Sequence, residues 1–391
     1  MEVCGENYKI PVSIVRGGTS KGIIIEQANL FSEPESRDKI ILGIFGSPDK
    51  RQIDGLGGAD SLTSKLALVS KSNINGVDVN YTFGQVGIEN ANIDYSLTCG
   101  NLVAGVAVFA IDKGMVKITE PITEIIIYNT NTKKRIKVRL RVKDNKFLVE
   151  GSYTIDGVPG SGSKIDVEFL RPEGSITGKL FPFDYPSTYF SKNTKKINAS
   201  IIDSGVLACF VNSSDIGLVG DEGPDDIDNN IKLLNNVKEI KSNILRPMSI
   251  AKDEKDLSNK IVNLPKFIFV SKPKDYYSPI NGKFIKSTDI DLLARVITSG
   301  KLHKAFPITS GIATATAACI PGTIPYDIVN KNIEEKNTIR IGHPSGIMEI
   351  NINIKKANNN WIIERAIVGR TARIIMDGIA YVPLSRIKRN K

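Results

Sequence analysis

CGNLVAGVAVFAIDK, residues 99–113, is the stretch whose reading decides the fold. From Leu102 to Ile111 it carries no charged or strongly polar side chain. A helix of that composition is apolar on every side, so it belongs inside a domain rather than on its surface. It is also too short to cross a bilayer, which takes about 18 residues or more. A second stretch of the same kind, TSGIATATAACIP at residues 309–321, again follows a polar turn. Two buried helices in a chain of 391 residues imply two cores, as the length alone also suggests.

The segments around these helices read mainly as strands. Residues 125–142 (IIIYNTNTKKRIKVRLRV) alternate apolar and polar positions about an Asn-Thr-rich turn, the pattern of a hairpin. Residues 79–83, 164–170, 266–270, 338–341 and 361–367 are further strands. Residues 225–245, opened by Pro224 and two aspartates, read as a surface helix, and residues 289–300 as another that ends at Gly300. The low-complexity residues 187–200 read as a hinge, followed by a strand over 201–211. The expected fold class is α+β, with two similar domains over residues 1–186 and 187–391. Each is a curved mixed β-sheet or barrel wrapped around one central buried α-helix, the last residues being free to pack back on the first domain.

Composition bounds the function classes. Lys and Arg number 52 against 42 Asp and Glu, a net charge of +10. Such a balance steers anionic substrates by long-range attraction, whereas a nucleic-acid face shows a basic stripe with aromatics between the charges. Along the chain the only basic cluster is residues 386–391. Cysteines at 4, 99, 209 and 319 form no close pair of the kind that metal or disulfide chemistry uses, and read as reduced thiols in a cytoplasm. Residues 1–10 (MEVCGENYKI) lack the basic start and apolar stretch of a secretion signal.

Chemistry concentrates in a few places. Cys99 stands with Gly100 and Asn101 at the head of the first buried helix, where free N–H groups and the helix dipole stabilise an anion. The competing reading is a structural cysteine. Residues 53–65 (IDGLGGADSLTSK) form a loop of glycines and small hydroxyl residues that can fold around carboxylates; it ends in Lys65, which if partly desolvated can serve as acid or base. Residues 16–22 (RGGTSKG) are a second anion-binding loop, without the spacing of a nucleotide phosphate loop. His303 precedes the second buried helix, and His343 lies in GHPSG, which lacks the order of a hydrolase elbow. Three functions stay open on these residues: a proton-transferring isomerase, a thiol hydrolase built on Cys99 and His303, and a non-catalytic basic binding protein.

The segments RGGTSKG (16–22), IDGLGGADSLTSK (53–65), CGN (99–101), DGVPGSGSKIDVEFL (156–170), HKAFPIT (303–309), GHPSG (342–346) and GRTARIIMDG (369–378) resemble, in that order, those of the 2-methylaconitate cis-trans isomerase (PrpF) family. The resemblance implies the diaminopimelate epimerase-like fold, with a site in the cleft between two similar domains. Epimerases of that superfamily carry a thiol at the head of each central helix; here the first survives as Cys99 and the second position is Thr309-Ser310-Gly311. The family resemblance implies Cys99 and Lys65 as the proton-handling pair. Thr19, Ser20, Ser64, Gly100, Asn101, His303, Thr309, Ser310 and Gly311 are then expected around the substrate, a small unsaturated polycarboxylate. The expected chemistry uses no cofactor and no metal, and neither nucleic acid nor membrane is an expected partner; self-association is left open.

Overall fold

The computed structural model describes residues 2–96, 98–192, 195–329, 337–358 and 360–387. The chain divides into two compact units, one of residues 1–167 with 369–391 and one of residues 168–368. The C-terminal segment therefore belongs to the first unit.

In the first unit the strands follow one another in a single order. Strand Ala372–Pro383 pairs antiparallel with Asn7–Gly17, which pairs antiparallel with Ser20–Glu26. Next come Lys65–Lys71 in parallel, Val79–Val86 antiparallel, Ile122–Asn129 in parallel and Lys134–Lys143 antiparallel. The second unit repeats that sequence of pairings. Thr188–Lys192, Lys195–Asp203 and Leu207–Asn212 are antiparallel neighbours; Lys266–Ser271 joins in parallel, Leu292–Thr298 antiparallel, Thr338–His343 in parallel and Gly346–Ala357 antiparallel. Both units also place one long apolar helix between the same two strands of the repeat. Gly100–Asp112 lies between Val79–Val86 and Ile122–Asn129, and Ile308–Ala318 between Leu292–Thr298 and Thr338–His343.

The all-round apolar composition explains these two helices. Every residue from Gly100 to Ile111 and from Ile308 to Ala318 is buried, and each helix packs against several strands of its own unit. Each large side chain so covered contributes about 1.5–3 kcal/mol, which offsets the weak helix preference of the valines and threonines. None of the described helices is long and apolar enough to cross a membrane.

Three segments differ from the sequence reading. Residues 289–300 are not a helix: a short turn at Ser287–Asp289 leads into strand Leu292–Thr298. From Leu292 to Ile297 every residue is buried, so no period of either kind is visible and neighbouring strands on both sides decide the conformation. Residues 225–245 are two helices, Pro224–Asp228 and Ile231–Leu245, because the Asn230 side chain accepts from the Leu233 N–H and starts a new helix there. The stretch read as a hinge supplies strands Thr188–Lys192 and Lys195–Asp203. The reading of residues 386–391 as the only basic cluster does not hold either, because residues 133–143 (KKRIKVRLRVK) carry seven Lys and Arg. With Ile136, Val138, Leu140 and Val142 buried, strand Lys134–Lys143 turns Arg135, Lys137, Arg139, Arg141 and Lys143 to its other face, where Glu124 pairs with Lys137 at 3.0 Å and Arg139 at 3.1 Å.

One buried cation in the second unit makes stability depend on pH. Lys241 is 2% exposed, and its Nζ donates to the Ile261 and Val262 carbonyls at 3.2 and 3.4 Å, closing the last turn of helix Glu254–Asn263. Burial pushes its ammonium down to about 8. Between pH 8 and 10 the unfolded chain therefore holds a proton here that the folded chain has lost, so stability rises with pH across that window. Denaturation of the wild type and of Lys241→Met at several pH values is expected to show the wild type gaining relative to the variant from pH 8 to 10. A difference that stays flat would count against a buried, discharging amine.

Candidate active site

In the first unit, the turn joining strands Asn7–Gly17 and Ser20–Glu26 is pressed onto the start of helix Gly100–Asp112. Gly17 makes this approach possible, since a Cβ there would lie 2.5 Å from the Asn101 carbonyl oxygen and 3.1 Å from the Gly105 nitrogen. Gly18 has a positive φ of 52° and no room for a side chain beside the Asn101 amide. From that turn the Thr19 N–H donates to Asn101 Oδ1 at 3.4 Å, and Asn101 Nδ2 donates to Thr19 Oγ1 at 3.2 Å. Next in sequence, the Ser20 hydroxyl lies 3.7 Å from Cys99 Sγ in a buried contact.

Cys99 is the residue immediately before the helix, in extended conformation and only 8% exposed. It caps nothing with its own side chain, so the thiol is directed neither into the helix nor away from it by a capping bond. The N–H groups of the first turn have no partner within the helix, and they gather partial positive charge at the thiol's end. Behind it, the fully buried Tyr81 hydroxyl donates to the Cys99 carbonyl at 3.2 Å; burial holds that phenol well above its ordinary range. Two other thiols stand apart from this setting: burial pushes Cys209 up to about 12 against an opposing pull from Lys241, and the half-buried Cys319 up to about 11. All four cysteines are unpaired.

Lys65 opens strand Lys65–Lys71 and is half-buried. Its Nζ donates to Gln85 Oε1 at 2.9 Å and stands 5.2 Å from the centre of the Phe83 ring. The Gln85 amide in turn donates to the Ser64 carbonyl at 3.1 Å. Ser64 itself is wholly buried, its hydroxyl donating to Gln52 Oε1 at 2.6 Å, and that amide oxygen also accepts the Ala59 N–H at 2.8 Å. The 53–65 loop is thus pinned by one buried glutamine, and Ser64 serves that pin. Gly22 connects the lysine to the helix: a Cβ there would meet the Lys65 carbonyl oxygen at 2.6 Å and the Leu102 side chain at 3.1 Å. Thr19, Ser20, Cys99, Gly100 and Asn101 lie together at this end of the first unit's helix, and the Lys65 backbone reaches it through Gly22, while the Ser64 hydroxyl is engaged by Gln52.

The second unit carries the remaining candidates. Thr309, Ser310 and Gly311 form the first turn of helix Ile308–Ala318, all buried. Ser310 Oγ has no hydrogen-bond partner among the described residues, although it is fully covered. His303 lies before that helix, its Nδ1 accepting the Ala305 N–H at 3.1 Å, which puts the proton of the neutral ring on Nε2. His343 has a different setting: it is 2% exposed, stacked on Phe306, and its Nδ1 accepts the Ser345 N–H at 3.2 Å. GHPSG is accordingly a structural turn. Both histidines belong to this second unit.

Sequence reasoning missed Gln52, Gln85 and Tyr81, which hold the lysine loop and the cysteine from behind. It also missed Arg370, whose Nε donates to Asn101 Oδ1 at 3.0 Å. Glutamine and tyrosine carry no signal of their own; Arg370 lies inside the motif GRTARIIMDG, where its partner was not visible.

The chain matches the PrpF protein family over residues 7–383 and belongs to it. It is 41% identical to the 3-methylitaconate isomerase of Eubacterium barkeri over 98% of this chain and 99% of that one. With the 2-methyl-aconitate isomerase of Shewanella oneidensis it shares 33% identity over 96% and 97% of the two chains. The crystal structure of a methylitaconate-delta-isomerase superposes with a TM-score of 0.82 at 40% identity, covering 99% of this chain and 98% of that one. The protein is an isomerase, and its α+β fold of two similar units around central helices is the fold expected from the sequence.

Proposed function

We propose that this isomerase moves a proton along the allylic system of a small unsaturated polycarboxylate, with Cys99 and Lys65 handling the proton. The Cys99 thiol beside the Ser20 hydroxyl at the start of a buried helix carries the reading. The names of the relatives favour methylitaconate or 2-methylaconitate as the first substrates to test.

A C–H next to a C=C–COO⁻ unit is very weakly acidic. One of the pair takes that proton, and the electron pair left behind spreads over the allyl carbons into the carboxylate as a dienolate. Returning a proton at the far carbon moves the double bond; returning it to the original carbon after rotation inverts the geometry. Either way one proton leaves and one arrives, so no redox partner is consumed. The energetic task is to stabilise the dienolate, and preorganised N–H donors are worth about 3 kcal/mol each in comparable sites. The first-turn N–H groups at Gly100 and Asn101 can supply them. The Asn101 side chain is occupied by Thr19 and Arg370, so its backbone is the part available to substrate. Unpaired cysteines accord with a cytoplasmic setting.

Isomerisation in heavy water tests the reading, because a proton held by a thiol or an amine exchanges with solvent. Methylitaconate or 2-methylaconitate is expected to be isomerised and to acquire deuterium at the carbons that change bonding. Turnover without any deuterium would exclude relay through these two groups, and cleavage of esters or thioesters without isomerisation would favour the hydrolase.

A further inference from the structure

Arg370 is a guanidinium held almost entirely out of water, 5% exposed, and no carboxylate among the described residues pairs with it. Its hydrogen bonds go to two neutral oxygens, from Nε to Asn101 Oδ1 at 3.0 Å and from Nη1 to the Gly369 carbonyl at 2.7 Å. Burial lowers its pKa to about 10, so it stays a cation at neutral pH. Burying a cation without a counter-charge costs stability, and a position that carries one has a use for it.

That use follows from what Asn101 does. Its Oδ1 receives the Arg370 Nε–H and the Thr19 N–H, which forces the amide the other way round and sends Nδ2 to Thr19 Oγ1. Thr19 is followed by Ser20, whose hydroxyl touches the Cys99 thiol. The neighbouring residue Thr371 grips the same turn from its other side, accepting the Gly18 N–H at 2.9 Å and Arg16 Nη1 at 2.8 Å through its carbonyl. We infer that Arg370 is a positioning residue of the isomerase site: with Nη1 anchored on the Gly369 carbonyl, its Nε–H fixes the Asn101 amide, and through it the Thr19-Ser20 segment against Cys99. The role rests on the proposed proton transfer at Cys99. Lysine cannot fill it, since one ammonium does not reproduce a planar pair of donors aimed at two oxygens.

The test is a double-mutant cycle on the full chain with Arg370→Lys, Asn101→Ala and the two together, assayed for isomerase turnover. Arg370→Lys is expected to lower kcat by about ten- to a hundredfold, the cost of a small misplacement near reacting groups, with KM held within about threefold. If the arginine acts through the asparagine, the double variant turns over no more slowly than Asn101→Ala alone. Losses that multiply, a kcat equal to wild type, or a KM that rises while kcat is kept would each overturn the role, the last by making Arg370 a direct substrate contact. Should Arg370→Lys fail to fold, Thr19→Val cuts the same chain of bonds with the arginine in place. It is expected to show the same kcat-selective loss, and full turnover would overturn the inference. Cys99→Ser in the same assay separates the two levels. If that variant is active, the proton-transfer reading falls; if it is dead beside a fully active Arg370→Lys, only the positioning role falls.

Discussion

Cys99→Ser is expected to cut turnover by at least about a hundredfold, and Lys65→Ala by a comparable factor, the lower range for losing a positioned acid or base. A serine hydroxyl fits the space beside Ser20 and the helix start but is a far poorer proton donor and carrier than a thiol. Folding should survive both changes. Cys99 uses no side-chain capping bond, and the Lys65 ammonium meets the neutral Gln85 amide and the Phe83 ring, so its removal strands no buried charge. The controls are Cys209→Ser and Cys319→Ser, at thiols that burial keeps protonated, and turnover there should stay near wild type. Steady-state kinetics with thermal melts would check all four. A fully active Cys99→Ser variant would defeat the cysteine assignment, while an inert Lys65→Ala beside an active Cys99→Ser would leave the lysine as sole base.

The second large effect is expected at a residue with no functional group. In Gly17→Ala the new methyl would sit 2.5 Å from a backbone carbonyl of the central helix, and backbone cannot swing aside as a side-chain tip can. Either the turn or the helix start must shift, at a cost of about 1–3 kcal/mol in stability. Because the same turn carries Thr19 and Ser20, a shift of about 1 Å should also cost up to about a hundredfold in kcat. Gly114→Ala is the matched control at the opposite end of the helix. Gly114 has a φ of 61° but open space around it, so alanine there pays only the backbone strain, about 1 kcal/mol, with turnover unchanged. Melting temperatures and kcat for the two variants would decide the matter. Equal turnover in both would show that the close approach at Gly17 does not set the site.

What could be read from the sequence was whatever a local pattern dictates. Helices Gly100–Asp112 and Ile308–Ala318 were legible because a run that is apolar all round has one stable destination, and the hairpin of Ile122–Asn129 with Lys134–Lys143 because alternation with a polar turn has one stable shape. Leu292–Thr298 was not, since a strand covered on both faces loses its period and then looks like a short buried helix. Cys99 and Lys65 stood out by their loops. Arg370 did not, because its meaning lies in an oxygen of Asn101 that only folding brings beside it. The same holds for Gln52, whose amide fastens the loop before Lys65 from within.

The pairing of strand Asn7–Gly17 with strand Ala372–Pro383 has a consequence for how the molecule is made. A ribosome delivers residues 168–368 as one uninterrupted length, whereas the first unit is still missing its outermost strand when that length is finished. Until then one long strand edge of the nascent chain is open, the kind of edge that pairs with other chains, and a growing polypeptide relies on speed or on chaperones to protect it. The clasp that Arg370 and Thr371 place on the 16–20 turn arrives in the same final stretch. If Arg370 braces the site as inferred above, a chain stalled or clipped before residue 369 is expected to hold every residue from Thr19 to Asn101 without that brace and to lack isomerase turnover.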